Sequence, residues 1–138
     1  MKNTLLVLCE GSSIDKETGQ WSIFNHIENF KIDAPDKNKE NISIKGKFSL
    51  VSFWTKEDDS ESGKFDIKYE FIAPDGEVLM DSSDLNLDVK KGATIKHRLK
   101  MRQVSFKGEG KHFFRALKKE EGEYKKVAEI PVKLTLNS

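Results

Sequence analysis

Along most of the chain apolar and polar residues alternate with a period of two, and long 3.6-residue patterns are nearly absent. Strands rather than helices are therefore expected throughout. A short apolar strand is predicted over 4–10, then a turn over 12–19 where Gly19 can take a positive φ. Residues 20–32 fit two patterns. Trp21, Ile23 and Ile27 share strand parity, whereas Ile23, Phe24, Ile27 and Phe30 fit one face of a helix. A strand, bulged if need be, is favoured because its neighbours are strands. The polar stretch 31–41, with Pro35 and several lysines, is expected to be a loop.

The middle of the chain is clearer. In 42–54 the even positions Ile42, Ile44, Phe48, Leu50 and Trp54 form one face, and Val51 and Phe53 make the end apolar on both. An acidic loop over 55–63 leads to strand 64–73, whose apolar face is Phe65, Ile67, Tyr69 and Phe71. Pro74-Asp75-Gly76 signals a turn before a short strand over 77–80. Residues 81–93 are polar and end in a turn at Lys90-Lys91-Gly92. Strand 94–106 carries Ile95, Leu99 and Met101 on one face, but its apolar parity switches at Val104 and Phe106. That switch predicts a bulge or a strand passing between sheets. Turns at Gly108-Glu109-Gly110 and Glu121-Gly122 bracket strand 111–119. The final strand, 125–136, buries Ile130, Val132, Leu134 and Leu136, with Pro131 on the other parity hinting at an edge or bulge. The expectation is all-β: one domain over 1–138, an antiparallel β-sandwich of seven to nine strands, immunoglobulin-like.

Composition narrows the class. With 138 residues, 36% hydrophobic and 34% charged, the chain suits a single soluble domain with a heavily charged surface and argues against a membrane protein. The apolar run Leu5 to Leu8 is too short for a secretion signal, which needs about 7–15 apolar residues. Cys9 then reads as a small core residue, and a cytoplasmic location is expected. A single cysteine excludes a disulfide framework and any zinc site built on cysteines.

Two stretches carry resemblances. Leu6-Val7-Leu8-Cys9-Glu10, then Asp15, Thr18-Gly19 and Ser22-Ile23-Phe24-Asn25 with Ile27, resembles a family of small uncharacterised bacterial and phage proteins. Gly110-Lys111-His112-Phe113-Phe114-Arg115-Ala116, followed by Ala128-Glu129-Ile130-Pro131-Val132, looks like the closing hairpin of immunoglobulin-like sandwiches. The resemblance implies a compact sandwich and brings no activity, catalytic residue or cofactor; fold alone does not give function.

Charge is segregated along the chain. Residues 1–89 hold 10 Lys and Arg against 18 Asp and Glu, a net of −8, and residues 90–138 hold 14 against 5, a net of +9. Within 90–119 Glu109 is the single acid among 11 bases. Lys96, Arg98, Lys100 and Arg102 share one parity, a cation ladder with a repeat of roughly 6.5–7 Å. With Lys107, Lys111 and Arg115 they are the candidate binding residues. Three readings follow. The first is cross-strand pairing with the outward residues Asp66 and Glu70 of strand 64–73, and it carries the most weight. The second is an acidic protein partner, and the third a phosphate backbone. Against nucleic acid, the outward parity between Lys96 and Arg102 carries no aromatic on which bases could stack.

Other chemistry finds less support. Asp81, Asp84, Asn86 and Asp88, or Glu57-Asp58-Asp59, offer hard oxygen ligands but not the spacing of a calcium loop. His26, His97 and His112 form no ligand motif, and His97 shares parity with Ile95 and Leu99, as an interior histidine would. No serine sits in a strand-to-helix elbow, and no phosphate-binding glycine loop is present. The expectation is a non-enzymatic module without metal or cofactor. It would bind a protein partner through its basic strand or an open sheet edge, self-association included. Nucleic acid is the first alternative, and a carbohydrate or small ligand on Trp21 the second.

Overall fold

The computed structural model describes residues 1–33, 40–58, 60–90 and 94–137. Pro35, Asp59, Lys91 and Gly92, on which parts of the expected loops and turns rest, lie outside them. The described residues form ten strands: β1 (Lys2–Ile14), β2 (Trp21–His26), β3 (Asn29–Asp33), β4 (Asn41–Thr55), β5 (Lys64–Ile72), β6 (Val78–Asp81), β7 (Leu85–Asp88), β8 (Thr94–Lys107), β9 (Gly110–Glu120) and β10 (Glu123–Asn137). They pair into two sheets, β2-β1-β4-β8 and β3-β10-β9-β5-β6, with β7 also on β5. The all-β, two-sheet expectation holds. The second sheet is curled and mixed, because β3 runs parallel to β10 while every other pair is antiparallel.

Two differences trace to local causes. The strand expected over 20–32 splits in two, and the helical alternative fails. Ile27 donates its N–H to Leu8 O (2.8 Å) in the first sheet, and Glu28 O accepts from Lys133 N (2.9 Å) in the second. The chain thus changes sheet at Ile27–Glu28. The polar stretch 81–93 holds β7, where Leu85 and Leu87 turn inward between exposed Asn86 and Asp88; four residues of alternation are too few to stand out. With the split and the added β7, the described residues hold ten strands rather than seven to nine.

The core follows the expected parities. Leu8, Leu50, Trp54, Ile67, Tyr69, Ala116, Val132 and Leu134 are fully buried, joined by Phe71, Phe106, Phe114 and Leu136. Each large apolar side chain so buried contributes roughly 1.5–3 kcal/mol. Phe71 packs on Phe114 (ring centroids 4.3 Å apart) and edge-on to Phe106 (5.4 Å), tying the sheets together. The parity switch expected on β8 coincides with a bulge whose extra residue lies on β4: the register shifts between Lys45 and Phe48, where Gly46 and Lys47 face the single Arg102. Pro131 sits in β10 ahead of the β3 pairing, which begins at Lys133, so its missing N–H is lost where β10 has a neighbour on one side.

Candidate functional site

The cation ladder occupies the outward face of β8, and β8 is the last strand of its sheet. Its neighbour β4 sets Phe53 opposite Lys96, Val51 opposite Arg98 and Ser49 opposite Lys100, so no carboxylate lies across from any of them. Asp66 and Glu70, expected to neutralise the ladder, stand on β5 in the other sheet. There Asp66 Oδ1 accepts from Asn86 Nδ2 (2.8 Å), and Glu70 lies 3.9 Å from Lys68 Nζ. The cross-strand pairing reading is overturned. Among the described residues Lys96, Arg98, Lys100 and Arg102 make no ion pair.

What the ladder does touch is aromatic and backbone. β1 and β2 form a hairpin in one register whose pairing skips Glu10 and Asn25. Asn25 takes a left-handed φ of 52°, a conformation asparagine tolerates, and its Nδ2 donates to Glu10 Oε2 (3.1 Å). Beyond this bend the arm lies back over the outer face of the first sheet. Trp21 meets Phe53 edge-on at 6.1 Å, and Cys9 and Val51, though they point outward, are fully buried beneath the arm. Arg98 ties it down: its guanidinium sits 5.6 Å from the Trp21 ring centre and donates to Ser12 O (3.2 Å) and Oγ (3.0 Å). Lys96 Nζ lies 5.3 Å from the Phe53 ring centre. Trp21 is half-buried, with Phe53 at its edge and Arg98 over its ring.

Between the arm and the sheet runs a groove of about 740 Å³, walled by Glu10–Ser12 of β1, Gly46–Ser49 at the β4 bulge, and Arg98, Lys100, Met101 and Arg102 of β8. It gathers Lys47, Arg98, Lys100 and Arg102 against the single acid Glu10. Lys47 and Ser12 were not among the sequence candidates. Lys47 reaches the groove through the bulge, and Ser12 through the fold-back; neither has a signature in local spacing.

The remaining basic candidates do other work. Lys107 reaches Asp75 (2.6 Å) and Glu77 (2.7 Å), clasping the Pro74-Asp75-Gly76 turn, and these carboxylates hold its ammonium well above the usual lysine range. Arg115 pairs with Glu129 across β9 and β10 at 2.6 Å. Lys111 stands exposed beside Lys133 on the second sheet, away from the ladder. Of the seven candidates, Lys96, Arg98, Lys100 and Arg102 come together.

Two histidines are interior. His112 is fully buried: its Nε2 accepts from Lys107 N (3.0 Å) and its Nδ1 lies 3.2 Å from Gly110 O, fixing the β8–β9 turn. His97 ends a chain of polar groups between the sheets. Trp54 Nε1 donates to Ser52 Oγ (2.8 Å), Ser52 bonds the Tyr69 hydroxyl, and Tyr69 meets His97 Nδ1 at 2.9 Å. Indole can only donate, so the proton order that satisfies every member runs Trp54 to Ser52 to Tyr69 to a neutral His97. Burial pushes the Tyr69 hydroxyl up to about 12 and both histidines below their ordinary value. Cys9 lies against Ser49 O, and burial pushes its thiol up, away from the reactive thiolate. Among the described residues no three His, Cys, Asp or Glu converge as a metal group, and no helix is long and apolar enough to cross a membrane. A scan against known protein families and a comparison with curated proteins both find no match.

Proposed function

We propose that the protein is a non-enzymatic interaction module, an immunoglobulin-like sandwich that takes an acidic protein segment on the basic outer face of β8 and the groove beside it. One observation carries this reading. Four cations stand on a terminal strand without ion pairs among the described residues, with no carboxylate across from them on β4, and three of them, Arg98, Lys100 and Arg102, line a 740 Å³ groove. Unpaired charges of one sign beside a concave surface raise the local concentration of an opposite charge and speed its encounter. The groove also offers Phe48 and Met101 as apolar wall, which suits a peptide better than a bare phosphate chain. Of the aromatics near the ladder, Trp21 and Phe53 are packed against each other; Phe24, 51% exposed opposite the groove residue Gly11, is the ring that a base or an apolar side chain of a peptide could meet.

The test uses Lys100→Glu/Arg102→Glu, both exposed and neither tied into the hairpin as Arg98 is. Nuclease-treated pull-downs from the native host lysate are compared for wild type and variant. In parallel, a poly-glutamate peptide and a single-stranded oligonucleotide are titrated at low and high salt. We expect an acidic protein to be recovered with wild type alone, and the peptide to bind about tenfold or more tighter to wild type than to the variant. Oligonucleotide binding with a steep salt slope and no peptide binding would move the reading to phosphate recognition.

A further inference from the structure

Resting on the reading of β8 as an interface, we propose that the segment it takes is the β6–β7 edge of a second copy of this chain, the two molecules related by a two-fold axis along the strands. β8 ends the first sheet, and β6 and β7, both paired to β5, end the second. The two edges lie on the same side of the sandwich, because Leu79 and Met80 of β6 and residues 101–105 of β8 line one cleft of about 340 Å³. Their charges are opposite and unmixed. Residues 94–107 hold five Lys and Arg and no acid, whereas residues 75–89 hold five Asp and Glu and no base. Within one molecule these edges exchange ion pairs only at one end, through Lys107; Asp81 is paired to Lys68, and Asp84 and Asp88 make no ion pair among the described residues.

Geometry then limits the partner. A rotation of 180° along the strand direction exchanges both top with bottom and left with right. It sets the β8 of each copy beside the β7 of the other, forming two equivalent junctions at once. At each junction the ladder of one copy and the outward Asp84 and Asp88 of the other fall on the same face of a continuous sheet, where cross-strand charges meet. The inward residues are largely apolar on both edges, Leu85 and Leu87 on β7 and Ile95, Leu99 and Met101 on β8, and the cleft between the edges is roofed. The exposed Val78, 49% accessible on β6, gains cover in the same step. A nucleic acid has no strand backbone to pair with an open edge; a second copy supplies backbone, apolar side chains and carboxylates together.

The experiment is charge-reversal complementation read by sedimentation velocity. Lys100→Glu/Arg102→Glu and Asp84→Lys/Asp88→Lys are each measured alone and then mixed in equal amounts. Wild type is expected to be dimeric at low salt and to dissociate as salt rises. Each variant alone should be monomeric, its dimer weakened about tenfold or more, and the mixture should regain the dimer, since both junctions are again complementary. Recovery in the mixture also shows that both variants fold. A wild type that stays monomeric at low salt, or variants that dimerise as wild type does, would overturn the proposal. If monomeric wild type still binds poly-glutamate and Lys100→Glu/Arg102→Glu does not, self-pairing falls while the basic face stands as a site for another partner.

Discussion

Single residues decide how this interior responds to acid. His97 and His112 are held neutral, each below its ordinary pKa because burial disfavours the imidazolium. The unfolded chain therefore binds more protons than the folded one, and stability rises with pH until the ordinary value near 6.5 is passed. Urea midpoints should be level above about pH 7 and fall as pH drops through the lowered values. Protonated His97 would turn a donor toward Tyr69 and reverse the proton order back to Ser52, so His97→Gln should show a shallower fall. Gly46 is a second such residue. A Cβ there would lie 2.7 Å from Phe48 Cζ, and that ring is held edge-on by Phe30 in the core. Gly46→Ala should lower stability by about 1–3 kcal/mol in chemical denaturation. The interior place of His97 could be read from its parity with Ile95 and Leu99. The partners of His112 could not, since Lys107 reaches it only when the chain turns back at Gly108.

At the level of elements, period-two alternation located every long strand, because burial on one face imposes that period whatever the neighbour. It did not say which strands pair. The Asp66–Glu70 error is of that kind: outward parity on β5 and on β8 was correctly read, but the two strands face solvent on opposite sheets. The β1–β2 fold-back was illegible for a related reason, since its bend depends on Asn25 adopting a left-handed backbone, which many asparagines never do. Turns were better signalled. Glu121 and Gly122 both have positive φ, 51° and 83°, between the directly paired Glu120 and Glu123, the two-residue turn whose twist suits a hairpin. Glutamate is a poor fit in that conformation and asparagine a good one. Glu121→Asn should therefore stabilise the protein by about 1 kcal/mol, seen as a raised urea midpoint with an unchanged slope.

For the molecule as a whole, the segregation of charge along the sequence becomes a segregation in space. The acidic half supplies one edge and the basic half the other, both on one side of the sandwich. The sum, near neutrality, hides this arrangement, and composition alone would have missed it. The candidate site was half visible: four cations on one strand were evident, while the groove they line depends on a bulge and a fold-back that only the tertiary structure brings together. The parallel pairing of β3 with β10 sets a different condition. Asn29 to Asp33 pair with Lys133 to Asn137, about a hundred residues later, and the buried Leu134 and Leu136 arrive with that strand. While the chain is being made, at about 5–20 residues per second, β3 lacks its β10 partner until Lys133 to Asn137 have emerged from the ribosome. The second sheet is therefore completed only when its last strand arrives, by a closure of high contact order and correspondingly slow rate. In that interval an unpaired β3 and an unfilled core are what a nascent-chain chaperone would meet.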